Sequence, residues 1–71
     1  MAGNMEADTE KLKRLRQEKV LSQRELARLA GVTHSTVWRL ENGFREAHPK
    51  TIRRLSKALG IAPSELVKKE E

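Results

Sequence analysis

Ser22 to Gly43 reads SQRELARLAGVTHSTVWRLENG. Ser22, followed three residues later by Glu25, is a capping box in which hydroxyl and carboxylate each satisfy a backbone N–H left free at a helix start. A helix therefore begins at Gln23, and Leu26, Ala27 and Ala30 recur at helical spacing on its inner face. Gly31, lacking a Cβ, adopts the left-handed conformation that lets a chain leave a helix sharply. Thr33 caps the next helix, which runs to about Asn42 with Val37 and Leu40 pointing inward; Asn42-Gly43 ends it. The small side chain of Ala27 lets the two helices cross closely at a steep angle, where a large one would push them apart.

Outward from this pair, Asp8 or Thr9 caps a first helix running to about Lys19, with Leu12 and Leu15 on its inner face. Its basic residues Lys11, Lys13, Arg14 and Lys19 read as a solvated helix surface. On the other side, the loop from Gly43 to Pro49 leads to a fourth helix, about Lys50 to Leu59, whose apolar stripe is Ile52, Leu55 and Leu59. Gly60 stops it, and Arg53, Arg54 and Lys57 form its solvated side. Pro63 suits the first turn of a short fifth helix carrying Leu66 and Val67, although Ala62 is a poor cap before it. These elements predict an all-α domain over residues 9–67, preceded by a flexible tail at 1–8 and followed by a frayed end at 68–71.

Composition narrows the function classes. Lys and Arg number 15 against 10 Asp and Glu, a formal net charge of +5, so a polyanion is a favourable partner on electrostatic grounds. Without Cys there is no disulfide framework, thiolate zinc site or cysteine nucleophile. Tyr is also absent, no glycine-rich phosphate loop or metal-spaced carboxylate pair is present, and His34 and His48 have no triad-like partners. Neither an enzyme nor a cofactor, metal or small-molecule ligand is expected. No apolar run is long enough for a signal peptide or a membrane span, so the expected location is the cytoplasm, with no membrane partner.

Residues 22–43 resemble the phage-repressor, or Xre-type (Cro/CI-like), helix-turn-helix family at nearly every constrained position of its motif, and the likeness extends over about Leu12 to Val67. The resemblance implies a compact five-helix, lambda-repressor-like DNA-binding domain whose recognition helix is the one opened by Thr33. Among the positions turned away from the core, His34, Ser35 and Arg39 are the candidate base readers. Arg39 is the strongest, because a guanidinium donates two hydrogen bonds to guanine N7 and O6. Gln23, Thr33, Asn42, Arg45 and Lys50 are the phosphate contacts that the resemblance implies, with Trp38 and His48 near the DNA. Trp38 has three options: a thymine methyl, the sugar-phosphate chain, or packing back over Phe44. Arg16 and Glu41 match a structural salt bridge between the first and third helices.

The function implied is transcriptional regulation, as a repressor binding an inverted-repeat operator in double-stranded DNA as a homodimer, with Leu66 and Val67 near the dimer surface. A second reading uses the same fold as an antitoxin or protein-interaction module. The tail from Glu65 to Glu71 has no long disordered wrapping segment, which weighs against it.

Overall fold

The computed structural model describes residues 4–68. In chain order these form β1 (Met5–Glu6), α1 (Thr9–Glu18), α2 (Gln23–Ala30), α3 (His34–Glu41), β2 (Glu46–Ala47), α4 (Pro49–Leu59) and a 3₁₀ turn over Pro63–Leu66. Each α-helix starts where a side chain satisfies a free N–H. The Asp8 carboxylate accepts from the Lys11 amide at 3.1 Å, which settles the choice of cap between Asp8 and Thr9. Ser22 and Glu25 form both bonds of the capping box, at 3.0 and 2.8 Å, and Thr33 Oγ1 accepts from the Thr36 amide at 3.1 Å. At α4 the cap is His48, whose Nδ1 accepts from the Lys50 amide at 3.0 Å, so the helix begins at Pro49.

Gly31 ends α2 at φ 74°, where its own amide donates to the Arg28 carbonyl at 3.3 Å and the Val32 amide to the Ala27 carbonyl at 3.0 Å. The same two-bond closure ends α1: Val20 N–H reaches Gln17 O at 2.9 Å and Leu21 N–H reaches Arg16 O at 3.1 Å. Here, however, the left-handed position is held by Val20 at φ 55°, a β-branched residue in a region it rarely visits.

The core lies where α2 crosses α3 and α4. Leu12, Leu26, Val37, Ile52, Leu55 and Leu59 are all buried in it. Ser56 is the one polar residue buried as a whole, backbone included, among those described, and its hydroxyl donates to the Ile52 carbonyl at 2.8 Å, one turn back in α4.

Two expectations are corrected. First, the fifth helix is a four-residue 3₁₀ turn, so the described residues hold four α-helices. Ala62 offers no capping side chain, and Val67 leaves the turn in an extended conformation; the turn still buries Leu66. Second, residues 5–7 are not a loose tail. Met5 and Glu6 pair antiparallel with Ala47 and Glu46, and Ala7 bridges to Val67 on the other side. The Asp8 amide donates to Leu66 O at 2.7 Å and the Lys68 amide to Glu6 O at 2.9 Å, so β1 is hydrogen-bonded along both edges. Ala7 and Ala47, both buried, supply the apolar contact that holds this ribbon against the helices. Of the end expected to fray, Lys68 is thus bonded, while residues 69–71 lie outside the described range, as do residues 1–3 of the expected tail.

Candidate nucleic-acid interface

The helix α3 buries Val37 and Leu40 and leaves His34, Ser35, Trp38 and Arg39 exposed. At 3.6 residues per turn, His34 and Trp38 form one outward row and Ser35 and Arg39 the next. The core thus holds one side of the helix and presents the other, with the N-terminal amides of α3 at the His34–Ser35 end. Thr33 has its hydroxyl engaged by the Thr36 amide and by Thr36 Oγ1 at 2.9 Å.

Behind this surface runs a polar chain linking three helices. Arg16 of α1 donates to Glu41 of α3 through Nε at 2.6 Å and Nη2 at 2.9 Å, a bidentate pair, and its Nη1 donates to the Leu21 carbonyl at 2.7 Å. The Glu41 side chain has no exposed surface and that of Arg16 very little. Burial pushes the Glu41 carboxyl up, but the hydrogen bonds from Arg16 and Gln23 and the nearby charges of Arg16 and Lys13 outweigh it and hold the group below the usual carboxylate range. Arg16 is raised, first by its hydrogen bond to Glu41. The expected salt bridge is therefore formed, and its position is structural: it ties α1 to α3.

Gln23 continues the chain. Its Nε2 donates to Glu41 Oε1 at 3.0 Å, and its Oε1 faces His34 Nε2 at 3.3 Å. A carboxylate only accepts, so the Gln23 amide nitrogen must face Glu41, and His34 must then donate through Nε2. Expected as a phosphate contact, Gln23 sits half-buried with both ends of its amide engaged, leaving one N–H for any ligand.

The remaining candidates follow α3. Asn42 folds its Nδ2 back onto the Trp38 carbonyl at 2.8 Å, and Gly43 at φ 96° lets the Phe44 amide return to Arg39 O at 3.0 Å. Trp38 packs on Phe44 with ring centroids 6.5 Å apart and planes at 29°. Trp38 thus packs back over Phe44, yet it stays 47% and Phe44 57% exposed, so the pair forms an apolar ledge beside Arg39. Lys50 and His48 are exposed at the start of α4, and Lys50 forms no salt bridge among the described residues. Arg45 is exposed and donates to Glu6 Oε2 at 3.1 Å.

Two contacts are not legible in the sequence. Glu6 falls in the expected tail, and nothing in spacing links it to Arg45, 39 residues on. Arg54, expected as a solvated cation, donates to the Gly31 carbonyl at 3.2 Å and so sits at the C-terminal end of α2, where a cation is favoured. Among the described residues no group of three metal-ligating side chains could hold an ion, and no helix is long and apolar enough to cross a membrane.

No curated protein sequence matches significantly. Among solved structures, the restriction-modification controller protein C.AhdI from Aeromonas hydrophila is 40% identical, over 80% of this chain and 86% of that one, with a TM-score of 0.75. The P22 c2 repressor, solved with a synthetic operator, is 26% identical over 87% and 94% of the two chains, with a TM-score of 0.78. SinR, a master regulator of biofilm formation solved with DNA, is 26% identical over 79% and 90%, with a TM-score of 0.74. The helix-turn-helix family matches residues 12–66, from the first core leucine of α1 to the buried leucine of the 3₁₀ turn. With its motif, its fold and these likenesses in agreement, the chain belongs to the helix-turn-helix family of Xre, or Cro/CI-like, type, a family of DNA-binding regulators.

Proposed function

We propose that this chain is a sequence-specific transcriptional regulator that represses by occupying an inverted-repeat operator as a homodimer, with α3 as the recognition helix in the major groove. The observation that carries this reading is the division of α3: Val37 and Leu40 are locked in the core while His34, Ser35, Trp38 and Arg39 stand exposed on the opposite side. Arg39 reads guanine, and His34 and Ser35 read or brace neighbouring bases near the helix N-terminus. Gln23, Thr33, Asn42, Arg45 and Lys50 hold the phosphates on either side, with Trp38 and His48 close by. Lys50 supports this in a particular way, because a cation at a helix N-terminus is unfavourable by about 0.3–1 kcal/mol until an anion neutralises it. In a dimer the two recognition helices enter successive major grooves about 34–36 Å apart, which is why the operator should be an inverted repeat.

Selection of binding sites from random duplexes tests this directly. The expected outcome is an inverted-repeat consensus from which Arg39→Ala erases the preference at one position per half-site, losing about 1–3 kcal/mol there. Lys50→Ala should instead weaken all sequences alike and reduce the salt slope by about one unit. Equal loss on every sequence from Arg39→Ala would make Arg39 a phosphate contact, and a selection with no consensus would overturn sequence-specific binding.

A further inference from the structure

We infer that the N-terminal ribbon is an internal brake on DNA affinity, in which Glu6 occupies Arg45 in the place that a DNA phosphate takes on binding. This rests on the phosphate role proposed above for Arg45. Arg45 Nη1 lies 3.1 Å from Glu6 Oε2, and both side chains are about half exposed, so the pair is open to competition from an incoming anion. The backbone ties the two partners together: the Ala7 amide donates to the Arg45 carbonyl at 2.7 Å, and Met5 and Glu6 pair with Ala47 and Glu46. Glu6 is thus held beside Arg45 by main-chain bonds that need no side-chain charge.

The register sharpens the consequence. Glu6 and Glu46 are direct cross-strand partners, and like charges at directly opposite positions are destabilising. The Arg45 guanidinium is the cation paired with the Glu6 member of that opposition. When Arg45 turns to a phosphate, Glu6 loses its cation while still standing opposite Glu46 in the ribbon. Binding through Arg45 therefore costs the protein an ion pair it already has, and the free energy gained from the phosphate is reduced by that amount.

The test is a double-mutant cycle on the full chain, measured as affinity for a mixed-sequence DNA duplex at several salt concentrations, with thermal melts to verify folding. Glu6→Gln keeps the strand backbone and removes the charge, and Glu6→Ala, which also frees Arg45, serves as a second variant should the first fail to fold. Glu18→Gln, which changes net charge equally on α1 where its partner is Arg14, is the control. Arg45→Ala should weaken binding several-fold. Glu6→Gln should tighten it by about two- to fivefold, the range expected for releasing an exposed ion pair, and should tighten it more than Glu18→Gln does. In the Arg45→Ala background that gain should shrink to the level of the control. If Arg45→Ala leaves affinity unchanged, the phosphate role of Arg45 fails and the brake with it. If Arg45→Ala weakens binding while Glu6→Gln is neutral or weakens it too, the phosphate role stands and the brake is overturned. An equal gain from Glu6→Gln with and without Arg45 would also overturn it, by showing a general charge effect.

Discussion

Val20 and Gly31 occupy equivalent places at the ends of α1 and α2, both at positive φ, and they show how differently two residues meet one backbone demand. A Cβ added at Gly31 would meet nothing within 4 Å, so the requirement for glycine there is conformational and not steric. Gly31→Ala should therefore cost about 1–2 kcal/mol, the ordinary penalty of a left-handed L-residue. Val20 already carries such a penalty while 87% exposed, so no packing offsets it. Val20→Gly is expected to raise stability by about 0.5–1 kcal/mol, read as a higher melting temperature; a lower one would mean that the Val20 side chain makes a contact worth more than its strain. A second residue-scale expectation concerns Glu41. Folding lowers its pKa below the unfolded value, so its contribution is complete at neutral pH and drains as the pH falls through the lowered, folded value. Removing its partner by Arg16→Ala leaves a buried charge unpaired, at a cost of about 3–5 kcal/mol, comparable to the whole stability of a domain this small. In urea titrations across the acid range, Glu41→Gln should start less stable and lose less with falling pH than the parent; parallel pH profiles would contradict the assignment.

Elements differ in how openly the sequence announces them. The helices α2 and α3 are legible because residues with a single local role mark each end, namely Ser22 with Glu25, Gly31, Thr33 and Asn42-Gly43. Fourth-helix periodicity is equally plain, and only its first residue shifts, because a histidine at position 48 caps where Ser, Thr, Asp or Asn would be looked for. The ribbon is invisible for a physical reason. Two-residue strands are too short to show alternation, and their partners lie some 40 residues apart, so what fixes them is the burial of Ala7 and Ala47, which no local pattern reveals. The 3₁₀ turn differs from the expected helix because an uncapped four-residue segment cannot carry the cost of nucleating an α-helix and is held by the burial of Leu66 instead. Deleting residues 1–7 should accordingly cost about 1–3 kcal/mol through the lost burial and strand bonds, measured by chemical denaturation. No change in stability would return these residues to the status of a tail.

At the scale of the whole molecule, the candidate surface is assembled from segments distant in sequence, and its legibility follows that division. Exposed positions on α3 follow from helical spacing alone. The chain from Arg16 through Glu41 and Gln23 to His34 joins α1, α2 and α3; its first pair is legible only through family likeness, and the links at Gln23 follow from packing. This hydrogen-bonded chain lies behind the exposed front, where a half-buried glutamine links the first residue of α3 to a buried carboxylate. Arg54 at Gly31 and the ribbon at Arg45 extend the same principle, in which elements outside the helix pair hold the residues around it.

The most direct test of α3 as the groove-entering element is amide chemical-shift mapping by NMR while a duplex bearing the selected site is titrated into the labelled protein. The expected changes cluster at Gln23, at Thr33 to Ser35, at Trp38 and Arg39, and from Asn42 to Lys50, with the outer face of α1 silent. Changes concentrated on α1 or the outer side of α4, with α3 unmoved, would contradict it.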